Sequence, residues 1–189
     1  HPDANGEIAK LLESLRSNPE SDHFVGAYSL GKAQRIIRIL RDLGHDDEIL
    51  LHGSMETLCN YYQSRGVELG RLAKLIDAGA RRKSGGAIII GPPSAIGTTW
   101  VNRMADPVFA YASGWMRIRQ RAKRAGVELP LIVSDHCDWP ELQRSIIDSG
   151  AGEIWVTHGN EDGLVRWCTM QGIAAKPLRL VGYTDEGDL

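Results

Sequence analysis

Short apolar runs that do not alternate, each followed by a stretch with helical spacing, recur along this chain and constrain its fold more than any other feature. Ile49-Leu50-Leu51 and Ala87-Ile88-Ile89-Ile90 carry apolar side chains at consecutive positions. Successive strand residues face opposite sides of a sheet, so such runs suit parallel strands covered on both faces. Phe24 to Tyr28, Val108 to Ala112, Leu131 to Val133, Ile154 to Val156 and Leu178 to Val181 extend the set. Between them, Ile8, Leu11, Leu12 and Leu15 recur at helical spacing within residues 7–16. Ile36, Ile37, Leu40 and Leu43 do the same before Gly44 stops them. A helix from Gly53 to near Gly66, a short helix through Leu69, Leu72 and Leu75, and a basic helix from Trp115 to Ala125 complete the pattern. Residues 81–86 read as an exposed loop, and the acidic tail 184–189 as loose. The alternation predicts an α/β fold, a parallel sheet with helices on both faces and right-handed crossovers.

Two of the apolar runs deliver a histidine where the strand should end. Leu131-Ile132-Val133 leads into Ser134-Asp135-His136-Cys137-Asp138, and Ile154-Trp155-Val156 into Thr157-His158-Gly159. Both imidazoles are expected at the carboxyl edge of one parallel sheet, where open α/β sheets bind ligands. Imidazole binds zinc or transfers protons near neutral pH, and a strand terminus holds it on rigid backbone. Ser134 and Thr157 could offer hydroxyls to a phosphate, or could close local turns. Asp138, just before Trp139-Pro140-Glu141, has the position of a helix N-cap. The other histidines, His1, His23, His45 and His52, lack this context and read as structural or solvated.

Tyr28-Ser-Leu-Gly-Lys-Ala-Gln-Arg35 ends one strand and opens a helix, so its backbone amides, with Lys32 and Arg35, could receive an anion. The spacing matches neither a P-loop nor a dinucleotide fingerprint. The basic stretch carries Arg117, Arg119, Arg121, Lys123 and Arg124, spread around a helix; they could follow a phosphate backbone or simply be solvated.

A formal net charge of -2 means that nucleic-acid contact would come from a local patch, not from a global field. No apolar run approaches the roughly 18 residues of a membrane span, and no segment has the layout of a signal peptide. Three cysteines without C-x-x-C spacing fit a reducing, cytoplasmic setting. The first residues, His1-Pro2-Asp3, read as a connector, so a piece of a longer protein is expected.

Taken jointly, three segments resemble the β-CASP nucleases, the branch of the metallo-β-lactamase superfamily that processes RNA and DNA. Tyr28–Arg35 is similar to their F-A-[LV]-G-[RK]-A-Q-E/R segment, Ser134–Asp138 to their S-x-H-x-D block, and Thr157-His158-Gly159 to their terminal H-G block. Ala112-Ser-Gly-Trp-Met-Arg117 looks most like the bacterial ligase-associated DNA exonucleases. The resemblance implies a β-CASP domain over residues 1–114 and the carboxyl-terminal segment of a metallo-β-lactamase domain over 115–189. It implies His158 as a metal ligand, His136 as a general acid or phosphate-binding group with Asp138 supporting it, and Ser134, Lys32 and Arg35 near phosphate. It further implies two zinc ions in the intact enzyme, a nucleic-acid substrate (DNA more than RNA), an ATP-dependent DNA ligase and a helicase as pathway partners, and no membrane.

The family's main zinc motif, H-x-H-x-D-H, is not in this sequence. One imidazole does not hold a zinc pair, since each ion takes about four ligands. The resemblance places the missing motif upstream, so this stretch alone is expected to be inactive. An RNA-processing nuclease of the same superfamily, a non-catalytic nucleic-acid-binding scaffold and a small-molecule phosphate-binding domain are the competing readings.

Overall fold

The computed structural model describes residues 1–78, 85–124 and 126–180. These fall into two compact units, His1–His136 and Cys137–Leu189.

The first unit is built on six parallel strands, β1 (His23–Gly26), β2 (Ile49–Leu51), β3 (Leu72–Lys74), β4 (Ile88–Gly91), β5 (Val108–Ala112) and β6 (Leu129–Leu131). Their spatial order is β3-β2-β4-β1-β5-β6. Strands β1, β2 and β4 are buried at every position, as the unbroken apolar runs require. Alternate residues then serve two cores. Val25, Ile49, Leu51, Ile88 and Ile90 pack against the helices α1 (Ala4–Ser17), α2 (Lys32–Asp42) and α3 (Gly53–Ser64). Phe24, Leu50 and Ile89 face the other side, with Leu75, Ala95 and Met104. That second face is covered by the single-turn helix α4 (Leu75–Ala78) and by 3₁₀ turns at Pro93–Ala95 and Thr99–Arg103. Phe24 meets Trp100 and Phe109 edge-on, with ring centroids 6.0 and 6.2 Å away.

Buried polar groups stitch the strands to their connections. The Asp22 carboxylate accepts backbone N–H groups from Ala87 (3.1 Å) and Ala105 (2.8 Å), tying the entries of β1 and β4 to the segment before β5. The His23 ring, fully buried, bonds the Ser14 hydroxyl at 2.9 Å and the Ser21 carbonyl at 3.1 Å. Of the two readings the sequence left open for it, structural or solvated, the burial of the ring selects the first.

Four expectations need correction. Leu72 and Leu75 do not share one short helix: Leu72–Lys74 pairs with Ile49–Leu51 as an edge strand, and only the following turn is helical. The strand before His136 lies two residues earlier than expected, because Leu129 and Leu131 pair with Ala110 and Ala112 while the Ile132 N–H goes to the Glu7 carboxylate at 2.8 Å. The basic stretch is a 3₁₀ turn, Gly114–Arg117, followed by the short helix α5 (Arg119–Arg124). A continuous helix would add Arg117 against Arg121, at repulsive four-residue spacing, to the Arg119 and Lys123 pair that α5 already holds. Finally, Leu178–Leu180 forms a 3₁₀ turn, and the last strand is Ala174–Pro177. Residues 81–84, Val181 and the tail 184–189 lie outside the described residues.

The second unit holds α6 (Trp139–Ser149), β7 (Glu153–Val156), α7 (Glu161–Met170) and β8 (Ala174–Pro177). Strands β7 and β8 form a parallel pair of their own. Asp138 caps α6 as its position predicted: its carboxylate accepts the Glu141 N–H at 3.0 Å, and the Glu141 carboxylate accepts the Asp138 N–H at 2.8 Å. The sequence reading divides the chain after residue 114. The compact units divide between His136 and Cys137 instead, because β6 completes the six-stranded sheet.

Candidate functional site

All six strands of the first unit are parallel, so their carboxyl ends share one edge. From β1 the chain crosses to β2 on one side of the sheet, and from β5 it continues to β6 on the other. The crevice between the ends of β1 and β5 is therefore the topological switch point, the usual ligand position in open α/β sheets.

Tyr28 follows β1 there, and Ser113 follows β5. The Tyr111 phenol has its pKa pushed up, first by burial and then by its hydrogen bond to the Tyr28 phenol. Gly31 adopts φ +80°, a left-handed turn suited to glycine, and sends the chain into α2. Gln34, buried, fixes this turn: its amide oxygen accepts the Gly31 N–H at 2.8 Å, and its amide nitrogen donates to the Ser29 carbonyl at 3.0 Å.

The structure brings this segment together with the loop after β6. Lys32, whose side chain is only 3% exposed, places Nζ 3.3 Å from the Asp135 carboxylate. It also lies over the Tyr28 ring, 5.2 Å from the centroid. Arg35 donates to the Ser134 carbonyl at 2.8 Å and stands 3.6 Å from Asp135. Four of the residues singled out by sequence, Lys32, Arg35, Ser134 and His136, thus belong to one constellation or its adjoining loop. Asp135, which holds Lys32 and Arg35 in place, is the member that sequence reasoning did not assign a role. Its only signal was its place between Ser134 and His136.

This arrangement changes the reading of the anion site. The Lys32 and Ala33 amides donate to the Leu30 and Tyr28 carbonyls, at 3.0 and 3.1 Å. The Lys32 charge is balanced by Asp135. The amide bonds close the turn before α2, and the ion pair anchors the loop 134–136; neither leaves an open cradle at the start of α2. The Ser134 hydroxyl accepts the His136 N–H at 3.1 Å and lies 3.3 Å from the His136 carbonyl, so it closes a local turn. That turn exposes the His136 imidazole at the carboxyl edge of the sheet.

In the second unit, His158 follows β7 with φ +66°, and Gly159 continues at φ +74°. A left-handed residue with a Cβ costs about 1 kcal/mol or more, and such conformations concentrate at functional positions. The side chain is exposed, as is Thr157. His136 and His158 follow strands of two different sheets, so the expectation that one sheet edge carries both is corrected.

A zinc pair needs more donors than the described residues bring together. His158 offers one nitrogen, and no group of three or more His, Cys, Asp or Glu residues able to hold a metal occurs among the described residues. These residues do not by themselves make a zinc site. No described helix is long and apolar enough to cross a membrane. No protein-family model matches the chain, and no curated protein sequence matches it.

Proposed function

We propose that this chain is the carboxyl-terminal portion of a metal-dependent nucleic-acid phosphodiesterase, a β-CASP nuclease of the metallo-β-lactamase superfamily acting in DNA end processing. The observation that carries the reading is the meeting of two motifs about a hundred residues apart. Lys32 and Arg35 of the Tyr28–Arg35 segment grip Ser134 and Asp135 of the Ser134–Asp138 block. These two blocks were singled out together by the resemblance. Their contact at a sheet edge suited to ligands gives the pairing a physical purpose: it fixes the loop that presents His136.

An imidazole held there has the chemistry to hydrogen-bond a phosphate oxygen, or to give a proton to the departing oxygen when a phosphodiester breaks. Asp138, two residues on in the chain, starts α6 with a two-way cap, and in this reading it supports His136. The strained backbone at His158 supports a role that depends on imidazole orientation. Metal ligands beyond His158 would come from polypeptide encoded ahead of His1.

The reading frame upstream of His1 is the direct test, and H-x-H-x-D-H in frame is the expected result. In the extended protein, His136→Ala should leave metal content intact and slow cleavage of a DNA strand by about a hundredfold or more. His158→Ala should lower bound metal as well as rate. A start codon at this point, or unchanged metal content and rate in both variants, would overturn the proposal.

A further inference from the structure

The first unit carries a second feature at the same sheet edge that the reading above does not use. Trp115 follows β5 within the 3₁₀ turn Gly114–Arg117, and it is 57% exposed. The turn itself is firmly set: Met116 is buried beside it, and the Ser113 hydroxyl accepts the Trp115 N–H at 3.3 Å. The Arg121 guanidinium lies over the indole, 3.7 Å from the ring centroid. One face of the ring is therefore backed by a planar cation, which fixes its orientation. More than half of the side chain still meets water, which contributes little to folding.

The charge along this stretch of chain is of one sign. Arg117, Arg119, Arg121, Lys123 and Arg124 lie in a stretch that holds no carboxylate between Asp106 and Glu128. None of these five forms an ion pair within 4.0 Å among the described residues. Elsewhere in the unit Arg16 pairs with Glu13, Arg38 with Asp42 and Glu68, and Lys74 with Glu56 and Asp77, while Arg65, Arg71 and Arg103 are exposed outside any ion pair among the described residues but are scattered singly along the chain. Five cations without an ion pair among the described residues thus fall within residues 117–124, directly after the exposed indole in the chain.

Its position is also fixed relative to the Ser134–His136 loop. A Cβ on Gly114 would lie 3.1 Å from the Ser134 hydroxyl, tighter than nine in ten real Cβ contacts. Gly114 thus lets the turn bearing Trp115 close onto the loop bearing His136.

We propose that Trp115, backed by Arg121, is a stacking platform for an unpaired base of a single-stranded nucleic acid, whose phosphates run along the cations of residues 117–124. The proposal deepens the reading above and rests on it for the fate of the strand; it adds where and in what form the strand is held. The single strand is selected by chemistry. Every base has a π-face, but in a duplex those faces are already stacked on neighbouring pairs. A rigid exposed indole can use only a base that is free. Ionic contact with phosphate would bring a strand of either kind to the surface, and stacking would retain the unpaired one.

The test titrates a fluorescent oligothymidylate of about twelve nucleotides with the full chain, followed by anisotropy across a salt series. Trp115→Ala should weaken binding about tenfold, while Trp115→Phe retains most of the affinity. Arg121→Gln should flatten the dependence of log affinity on log salt by about 0.7. A blunt duplex of the same length should be nearly insensitive to Trp115→Ala. Circular dichroism and the melting midpoint of Trp115→Ala should match the parent, because the indole is exposed. Absence of oligothymidylate binding, a Trp115→Ala effect under twofold, or an equal effect on the duplex would each overturn the platform. These outcomes are independent of the upstream reading frame: a Trp115-independent strand leaves the nuclease reading standing, and a frame without the zinc motif leaves the stacking result standing.

Discussion

The two compact units of this chain are held together by different means. The first has two apolar cores on opposite faces of a six-stranded sheet, with Phe24, Ile36, Ile37, Leu40 and Ile89 completely buried. In the second, Ile146, Val156 and Cys168 are the apolar side chains buried among the described residues. Its large apolar residues Trp139, Ile147, Trp155 and Met170 stay exposed. What holds α6 to α7 is a polar clamp: the Gln143 amide oxygen accepts both the Trp139 and Trp167 indole N–H groups, each at 2.7 Å. On β7 the Glu153 carboxylate takes the Trp155 indole N–H at 2.7 Å and the Lys176 ammonium at 3.0 Å. Those bonds hold its pKa below the ordinary glutamate range. A two-stranded sheet with so small a core is marginal in water. The contrast teaches that the first unit specifies its structure through enclosed apolar cores, whereas the second leaves most of its largest apolar side chains exposed and relies on polar contacts between them.

Core truncation separates the units most sharply. Phe24→Ala should cost about 3–5 kcal/mol, because the ring is enclosed by Trp100, Phe109 and both neighbouring strands. Ile146→Ala should cost less than about 2 kcal/mol, since a half-open core collapses around the change. Denaturant unfolding read by amide exchange resolves the two, and α6 and α7 should exchange faster than β1 and β4. Equal losses, or equal protection, would break the comparison.

What was legible in the sequence follows the same division between local and distant causes. Strands β2, β4 and β5 were readable because unbroken apolar runs have few other uses. The cap at Asp138 was readable because its partner Glu141 is three residues away. Strand β8 was not, because Ala174-Ala-Lys-Pro177 has weak strand propensity and is extended only through its pairing with Glu153–Val156. Strand β3 likewise depends on its register with β2, which no local pattern announces. At the site, the histidines and the basic segments were visible, but the Lys32–Asp135 pair was not. Nothing within either motif points to a partner about a hundred residues away. Trp115 stands in the sequence as a motif residue at the start of a basic stretch; its exposure and its stack on Arg121 are tertiary facts.

That pair offers a smaller effect that sharpens the account of the first unit. Asp135→Asn should destabilise it by about 2 kcal/mol, since Lys32 would keep a buried charge without its carboxylate. The figure sits below that for fully buried pairs because the Asp135 side chain is 38% exposed. Lys32→Met should cost less, and adding Asp135→Asn to it should cost little more, giving a positive coupling in a double-mutant cycle by urea unfolding. Additive losses would mean that Lys32 and Asp135 do not act on each other, and that the loop 134–136 is held by other contacts.

The smallest effect concerns pH, and it belongs to the first unit. Burial lowers the pKa of His23, His45 and His52 below the ordinary imidazole value. At His23 the Ser21 carbonyl, Asp22, Ser14 and Glu128 pull upward without overcoming burial. At His45 Asp47 and Asp46 pull upward, while Arg41 adds to the lowering. The Ser21 carbonyl can only accept, so Nδ1 carries the proton in the neutral ring and Nε2 accepts from the Ser14 hydroxyl. An unfolded chain binds protons at these rings near pH 6.5, and the folded chain only at lower pH. Stability is therefore complete above about pH 6.5 and declines as pH falls from there towards the folded values, because the unfolded state takes up more protons. Urea midpoints for the first unit should drop between about pH 7.5 and pH 5.5, and the drop should be shallower in His23→Gln, which keeps hydrogen-bonding capacity without titrating. A midpoint that rises on acidification over this range, or a His23→Gln profile identical to the parent, would show that burial does not govern these imidazoles. The acid sensitivity of the first unit would then have to come from its carboxylates, and would appear only at lower pH.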